Sequence, residues 1–151
     1  MSLKDDYKGL VALLHSRNVN YLIVGAYAVA CHGLPRYTGG FDLLIEQTER
    51  NRERLVDVLA QFGFASLGIS VSDLSRVDQV VQLGVEPTRI DIITGISGVS
   101  FEEAYQNRVE IEFDGFKLPV ISIDDLIKNK IASGRPQDLA DVERLKKINS
   151  K

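Results

Sequence analysis

A chain of 151 residues, 44% hydrophobic and 26% charged, is long enough to bury one sizeable core and too short for two ordinary domains, so a single domain over 1–151 is expected. A net charge of -3 and a pI near 5.4 argue against a surface built to neutralise a long run of phosphates. One cysteine, Cys31, excludes an intramolecular disulfide and a multi-cysteine zinc site.

The opening Met1-Ser2-Leu3-Lys4-Asp5-Asp6 lacks the apolar stretch of a signal peptide. No apolar run approaches the ~20 residues that span a bilayer. The expectation is a soluble cytoplasmic protein that makes no use of a membrane. Leu3, Tyr7, Leu10, Val11 and Leu14 recur at three-and-four spacing, which predicts a helix over 3–17 with one buried face. The apolar run Tyr21-Leu22-Ile23-Val24 predicts a strand buried on both faces and ending at Gly25. A small-residue helix over 26–32 follows, stopped by Gly33 and Pro35. A second strand is expected over 41–45. After it comes an amphipathic helix over 49–62, with Leu55, Val58, Leu59 and Phe62 inward and Gly63 just past its end.

Two further strands, 79–85 and 89–94, are separated by Glu86-Pro87-Thr88, a break where proline cannot donate to a ladder; they are expected to pair antiparallel. Asp114-Gly115 between 109–113 and 116–121 is a strong hairpin signal. Helices over 124–132 and 136–148 close the chain, divided by Ser133-Gly134-Arg135, with Pro136 suited to a first helical position. The fold class that follows is α/β (α+β), a mixed sheet of about five strands flanked by helices.

Chemistry concentrates where Val24-Gly25-Ala26-Tyr27 precedes Arg36-Tyr37-Thr38-Gly39-Gly40-Phe41-Asp42. Asp42, alone on an apolar strand, is either a metal ligand or a charged residue at a sheet edge. Asp91 lies in Arg89-Ile90-Asp91-Ile92-Ile93, where an ionised carboxylate needs a cation or hydrogen bonds to offset its burial. A salt bridge to Arg89 or Arg36 is the alternative to a ligand role. Gly25 either lets phosphate approach the backbone or only turns the chain. Arg36 and Thr38 either meet phosphate or carboxylate, or brace their loop. His15 and His32 are not spaced as a metal pair, and Cys31 reads as a packing thiol.

The order of strand, small-residue turn, short helix and Arg36-x-Thr38-x-x-x-Asp42 on a second strand resembles the nucleotidyltransferase superfamily, the polymerase-β-like fold. In that family the second strand carries Asp-x-Asp, whose carboxylates project from one face with Cα atoms ~6.6 Å apart. Here the first of those positions is Gly40. Glu46 does not replace it, since it is ~13 Å from Asp42 at strand rise. The stretch Lys130…Arg135-x-x-Asp138-x-x-Asp141 is similar to a motif of abortive-infection type nucleotidyltransferases, toxin-like relatives in that superfamily.

The resemblance implies transfer of a nucleoside monophosphate from an NTP to a hydroxyl on a protein, an RNA end or a small molecule. It implies Asp42, Asp91 and Lys130 as catalytic residues, with Mg²⁺ or Mn²⁺ held by Asp42 and Asp91. Gly25, Ala26, Arg36, Thr38, Lys130 and Arg135 would then bind nucleotide. Asp138 and Asp141 would orient the basic groups or act near the acceptor, whereas the macrodipole alone already favours them at a helix N-terminus. A toxin-antitoxin setting with an antitoxin-type partner is implied in the same way. Gly40 leaves two readings open: an impaired enzyme, or a degenerate module of the same fold that binds nucleotide or protein.

Overall fold

The computed structural model describes residues 3–150; Met1 and Ser2, where the leader reading begins, lie outside the described residues. The helices are α1 (Asp5–Ser16), α2 (Gly25–Cys31), α3 (Glu49–Leu59), α4 (Phe101–Gln106), α5 (Ile123–Ser133) and α6 (Pro136–Asn149). The strands are β1 (Tyr21–Ile23), β2 (Gly40–Ile45), β3 (Val80–Leu83), β4 (Arg89–Ile93), β5 (Val109–Phe113) and β6 (Phe116–Val120). They form one 6-stranded sheet in the order β3-β4-β2-β1-β6-β5. The mixed sheet flanked by helices is as expected, and all six of the strand segments marked in the sequence take part in it. The sheet is mixed: β1 runs antiparallel to β2 and parallel to β6, while β2 runs parallel to β4. The antiparallel pairing of β3 with β4 is as expected.

β1 lies inside the sheet, which accounts for a strand whose Tyr21, Leu22 and Ile23 are all buried. In α1 the stripe of Tyr7, Leu10, Val11 and Leu14 is fully buried. Tyr7 stacks on Phe41 with centroids 4.6 Å apart, and Tyr27 meets the same ring edge-on at 4.8 Å. Anchoring Phe41 in this aromatic cluster sends its neighbours Gly40 and Asp42 to the other face of β2. The Tyr7 hydroxyl also donates to the Arg89 carbonyl at 3.0 Å, fixing the start of β4.

The third helix ends earlier than the pattern predicts. Its regular part stops at Leu59, and a π-turn carries the chain over Ala60–Phe64 because Gly63, at φ 119°, lies outside helical geometry. Phe62 is therefore only half-buried. α4 was not anticipated: Ser100 accepts from the Glu103 amide to cap it, a capping signal on a helix too short to show periodicity. Asp114 and Gly115 take φ 50° and 86°, the left-handed pair that a two-residue hairpin requires. Gly134, at φ 68°, ends α5 and turns the chain directly into Pro136 of α6.

Candidate functional site

Parallel pairing of β2 with β4 sets Gly40 opposite Arg89 and Asp42 opposite Asp91. The two carboxylates therefore share one face of the sheet. Where the first carboxylate of an Asp-x-Asp pair would stand, Gly40 offers only a hydrogen, and the Arg89 guanidinium fills the space. Arg89 Nε donates to Asp91 Oδ1 at 2.9 Å and Oδ2 at 3.2 Å, and Nη2 reaches Oδ2 at 3.1 Å. A Cβ on Gly40 would sit 3.0 Å from Asp91 Oδ2 and 3.1 Å from Nε and Nη2 of Arg89. Of the two readings of Asp91, the structure contains the ion pair, and its partner is Arg89.

Asp42 is half-buried, opposite Asp91 in the ladder and packed against the Gly25 turn. Burial, then the neighbouring Asp91 carboxylate, push its carboxyl up to about 7; Arg89 pulls the other way without matching them. Gly25 holds φ +67°, and a Cβ there would fall inside the van der Waals envelope of the Asp42 carboxylate. The turn glycine thus makes room for a carboxylate, a close approach that the sequence pointed to but assigned to phosphate. Gly25→Ala is expected to destabilise the fold by about 2 kcal/mol or more, from left-handed strain plus displacement of Asp42. Urea unfolding checks this, and a loss below ~0.5 kcal/mol would contradict the packing.

A second charged cluster comes from α5 and α6. Lys130 is buried, with Nζ 3.2 Å from Asp138 and 3.0 Å from Asp141. Arg36 crosses from its loop to clamp Asp141 through Nη2 at 2.6 Å and Nη1 at 3.1 Å. Asp138 also accepts from Ser133 and from Arg135 Nε. Burial opposes ionisation of Asp138, but these donors together with Lys130 overcome it and hold the carboxyl at about 2. Asp141 is lowered against the same opposition by Arg36 and Lys130. Both aspartates sit in the first turns of α6, yet their buried pairings go well beyond a macrodipole preference.

Between the clusters lies a cleft of about 750 Å³. Gly25, Ala26, Arg36, Asp42, Lys130 and Arg135 all line it, so six of the expected site residues meet in one place. Asp91 and Thr38 do not line it; Asp91 is buried, and Thr38 lies in the loop before β2. Ser133, Gln137 and Asp78 line the cleft without having been expected. Ser133 and Gln137 flank the Arg135 motif and were within reach of the pattern, whereas Asp78 stands on a loop with no periodic signal. Arg135 is largely exposed, and only its Nε is engaged among the described residues. The histidines have structural partners, His15 the Tyr21 hydroxyl and His32 the Ile121 carbonyl. Burial pushes the Cys31 thiol up to about 12, away from reactivity.

Divalent cations bind carboxylate oxygens that are free to turn toward them. Asp91 has both oxygens on a guanidinium, burial pushes the Asp42 carboxyl toward its protonated form, and Gly40 offers no ligand. Among the described residues no three His, Cys, Asp or Glu side chains gather as a metal site. As arranged, this donor set does not fit a divalent ion. No helix among the described residues is long and apolar enough to cross a membrane.

Comparison with solved structures gives the same fold. A candidate nucleotidyltransferase from Thermotoga maritima, TM1012, matches with a TM-score of 0.63 and 16% identity over 96% of this chain and 91% of its own. The lincosamide antibiotic adenylyltransferase LnuA, solved with lincomycin bound, matches with a TM-score of 0.58 and 15% identity over 97% of this chain and 98% of its own. At such identities the likeness is one of fold. No curated protein matches the sequence. The family described as "Nucleotidyltransferase of unknown function (DUF6036)" matches residues 4–150. Nucleotidyltransferases generally use divalent metals, which sets the guanidinium on Asp91 apart from the chemistry of the group. The chain, matched by that family over nearly its whole length, belongs to it.

Proposed function

We propose that this chain is one nucleotidyltransferase-like domain that binds an NTP in the cleft between the Gly25 turn and the α5–α6 corner, with its transfer centre disabled. The observation that carries the reading is the Arg89 guanidinium on Asp91 beside Gly40. The phosphates would meet Arg135, whose terminal nitrogens are free of partners among the described residues, and the rim of Lys130. Lys130 is held by two aspartates, so its positive charge is largely balanced; Arg135 is the stronger phosphate contact.

The competing reading is a working transferase that moves a nucleoside monophosphate from an NTP to a hydroxyl of a protein, RNA end or small molecule, with Mg²⁺ or Mn²⁺ on Asp42 and Asp91. The register that sets those carboxylates opposite each other favours it. It requires the guanidinium to leave Asp91. A cytoplasmic setting and an antitoxin-type protein partner accompany either reading on the strength of the resemblance.

Calorimetric titration with each NTP, with and without Mg²⁺, tests the proposal. Binding is expected in both conditions, weakened roughly tenfold in Arg135→Gln, equivalent to about 1.4 kcal/mol. Labelled NTP should transfer to no hydroxyl acceptor. Failure to bind any NTP would remove the nucleotide site, and transfer by the unmodified chain would establish the competing reading.

A further inference from the structure

Two consecutive glycines open the acidic strand: Gly39 faces Glu86 in the turn before β4, and Gly40 faces Arg89 and Asp91 of β4 itself. A Cβ on Gly39 would overlap the Glu86 carboxylate. One on Gly40 would press on Asp91 Oδ2 and on the Arg89 guanidinium, at 3.0 and 3.1 Å. Glu86 accepts from Arg89 Nη1 at 3.2 Å while Asp91 takes Nε and Nη2, so the guanidinium is gripped from two sides. The Arg89 backbone is held as well, through its carbonyl on the Tyr7 hydroxyl. A missing ligand alone would leave a gap over Asp91. The gap is filled, and the filling group carries the positive charge that a buried carboxylate needs.

We propose that Gly39-Gly40 is a seat for Arg89, and that the guanidinium acts as a resident cation in place of a divalent ion on Asp91. The chain then binds nucleotide phosphates without any metal held by protein side chains. A planar fork with fixed donors satisfies one carboxylate in one orientation. Its remaining N–H groups can donate a hydrogen bond to a phosphate oxygen, but unlike a metal it accepts no electron pair from one. Charge is thereby retained at the acidic strand while the Lewis-acid function is lost. The inference rests on placing the nucleotide in this cleft, but it makes its own statement about Asp91.

Mn²⁺ alone is the probe, with the free ion followed by electron paramagnetic resonance and no nucleotide present. The unmodified chain is expected to take up no Mn²⁺ at sub-millimolar concentration. Arg89→Gln, which uncovers Asp91, is expected to gain one site at least tenfold tighter, lost again in Arg89→Gln with Asp91→Asn. Circular dichroism establishes that each variant is folded. Should Arg89→Gln not fold, Gly40→Asp decides: a carboxylate set against the guanidinium draws it off Asp91 and supplies a further ligand, and Mn²⁺ uptake should appear. Uptake by the unmodified chain that Asp91→Asn abolishes overturns the proposal, and so does a folded variant that gains no site. Because no NTP is present, these outcomes are independent of whether the cleft binds nucleotide.

Discussion

Asp141→Ala is expected to lower stability by about 3–5 kcal/mol at neutral pH, the largest effect of any single polar substitution in this chain. The Asp141 side chain is 5% exposed and receives both terminal nitrogens of Arg36 and the ammonium of Lys130. Removing it takes a carboxylate from two cations at once. Lys130 would keep Asp138 at 3.2 Å, but Arg36 would lose the one carboxylate it meets among the described residues while its buried Nε already lacks a partner there. Asp141→Asn, which keeps one acceptor, should cost less. Urea unfolding of the three proteins measures this, and a loss under ~1 kcal/mol for the alanine variant would mean that the cluster is solvated in solution.

The second large effect runs opposite to intuition about buried charge. Asp42→Asn is expected to stabilise the protein above neutral pH. In the folded chain the Asp42 carboxyl is pushed up to about 7, whereas unfolded it titrates near 3.8. Between those values the folded state holds a proton that the unfolded state has released. Stability from this group therefore falls as pH rises from about 4 to about 7 and is flat above. Asparagine copies the protonated acid in size and neutrality, and its nitrogen can donate to Asp91 across the ladder. At about 1.4 kcal/mol per pH unit, the gain at pH 8 should be roughly 2–4 kcal/mol, and near zero at pH 4. At roughly 2–4 °C per kcal/mol this reads as a Tm difference between the two proteins that opens with pH. A Tm difference that stays constant from pH 4 to 8 would contradict the upward shift of the Asp42 carboxyl. Asp138, held at about 2, has the opposite sign, its contribution being lost as pH falls from about 4 toward 2.

Much of the architecture was legible because it rests on short-range signals. The all-apolar β1, the stripe of α1, the Asp114-Gly115 turn and the Gly134-Arg135-Pro136 break each encode their element within a few residues. Gly25, Asp42, Lys130 and Arg135 were legible as neighbours because the resemblance fixes their order and the fold brings them together. What stayed hidden was decided across strands. Arg89 stood in the sequence only as one possible partner for Asp91, since nothing local reveals that Gly40 lies opposite it in a parallel ladder. The Arg36–Asp141 clamp joins positions 105 residues apart. The early end of α3 turned on one glycine, Gly63, which stands inside the π-turn, where the pattern had placed it just past the helix.

That separation governs the order in which the molecule can assemble. β1 has its antiparallel partner, β2, soon after it in the chain, but its other neighbour, β6, is made only after β5. Arg36 finds its carboxylate later still, in the final helix. A chain emerging from the ribosome can therefore build the β1–β2–β4 part of the sheet, acidic strand included, while Arg36 is unpaired and Lys130 is still to come. The cleft is finished only when α6 docks, so the anion site proposed for it is completed after the acidic strand is in place.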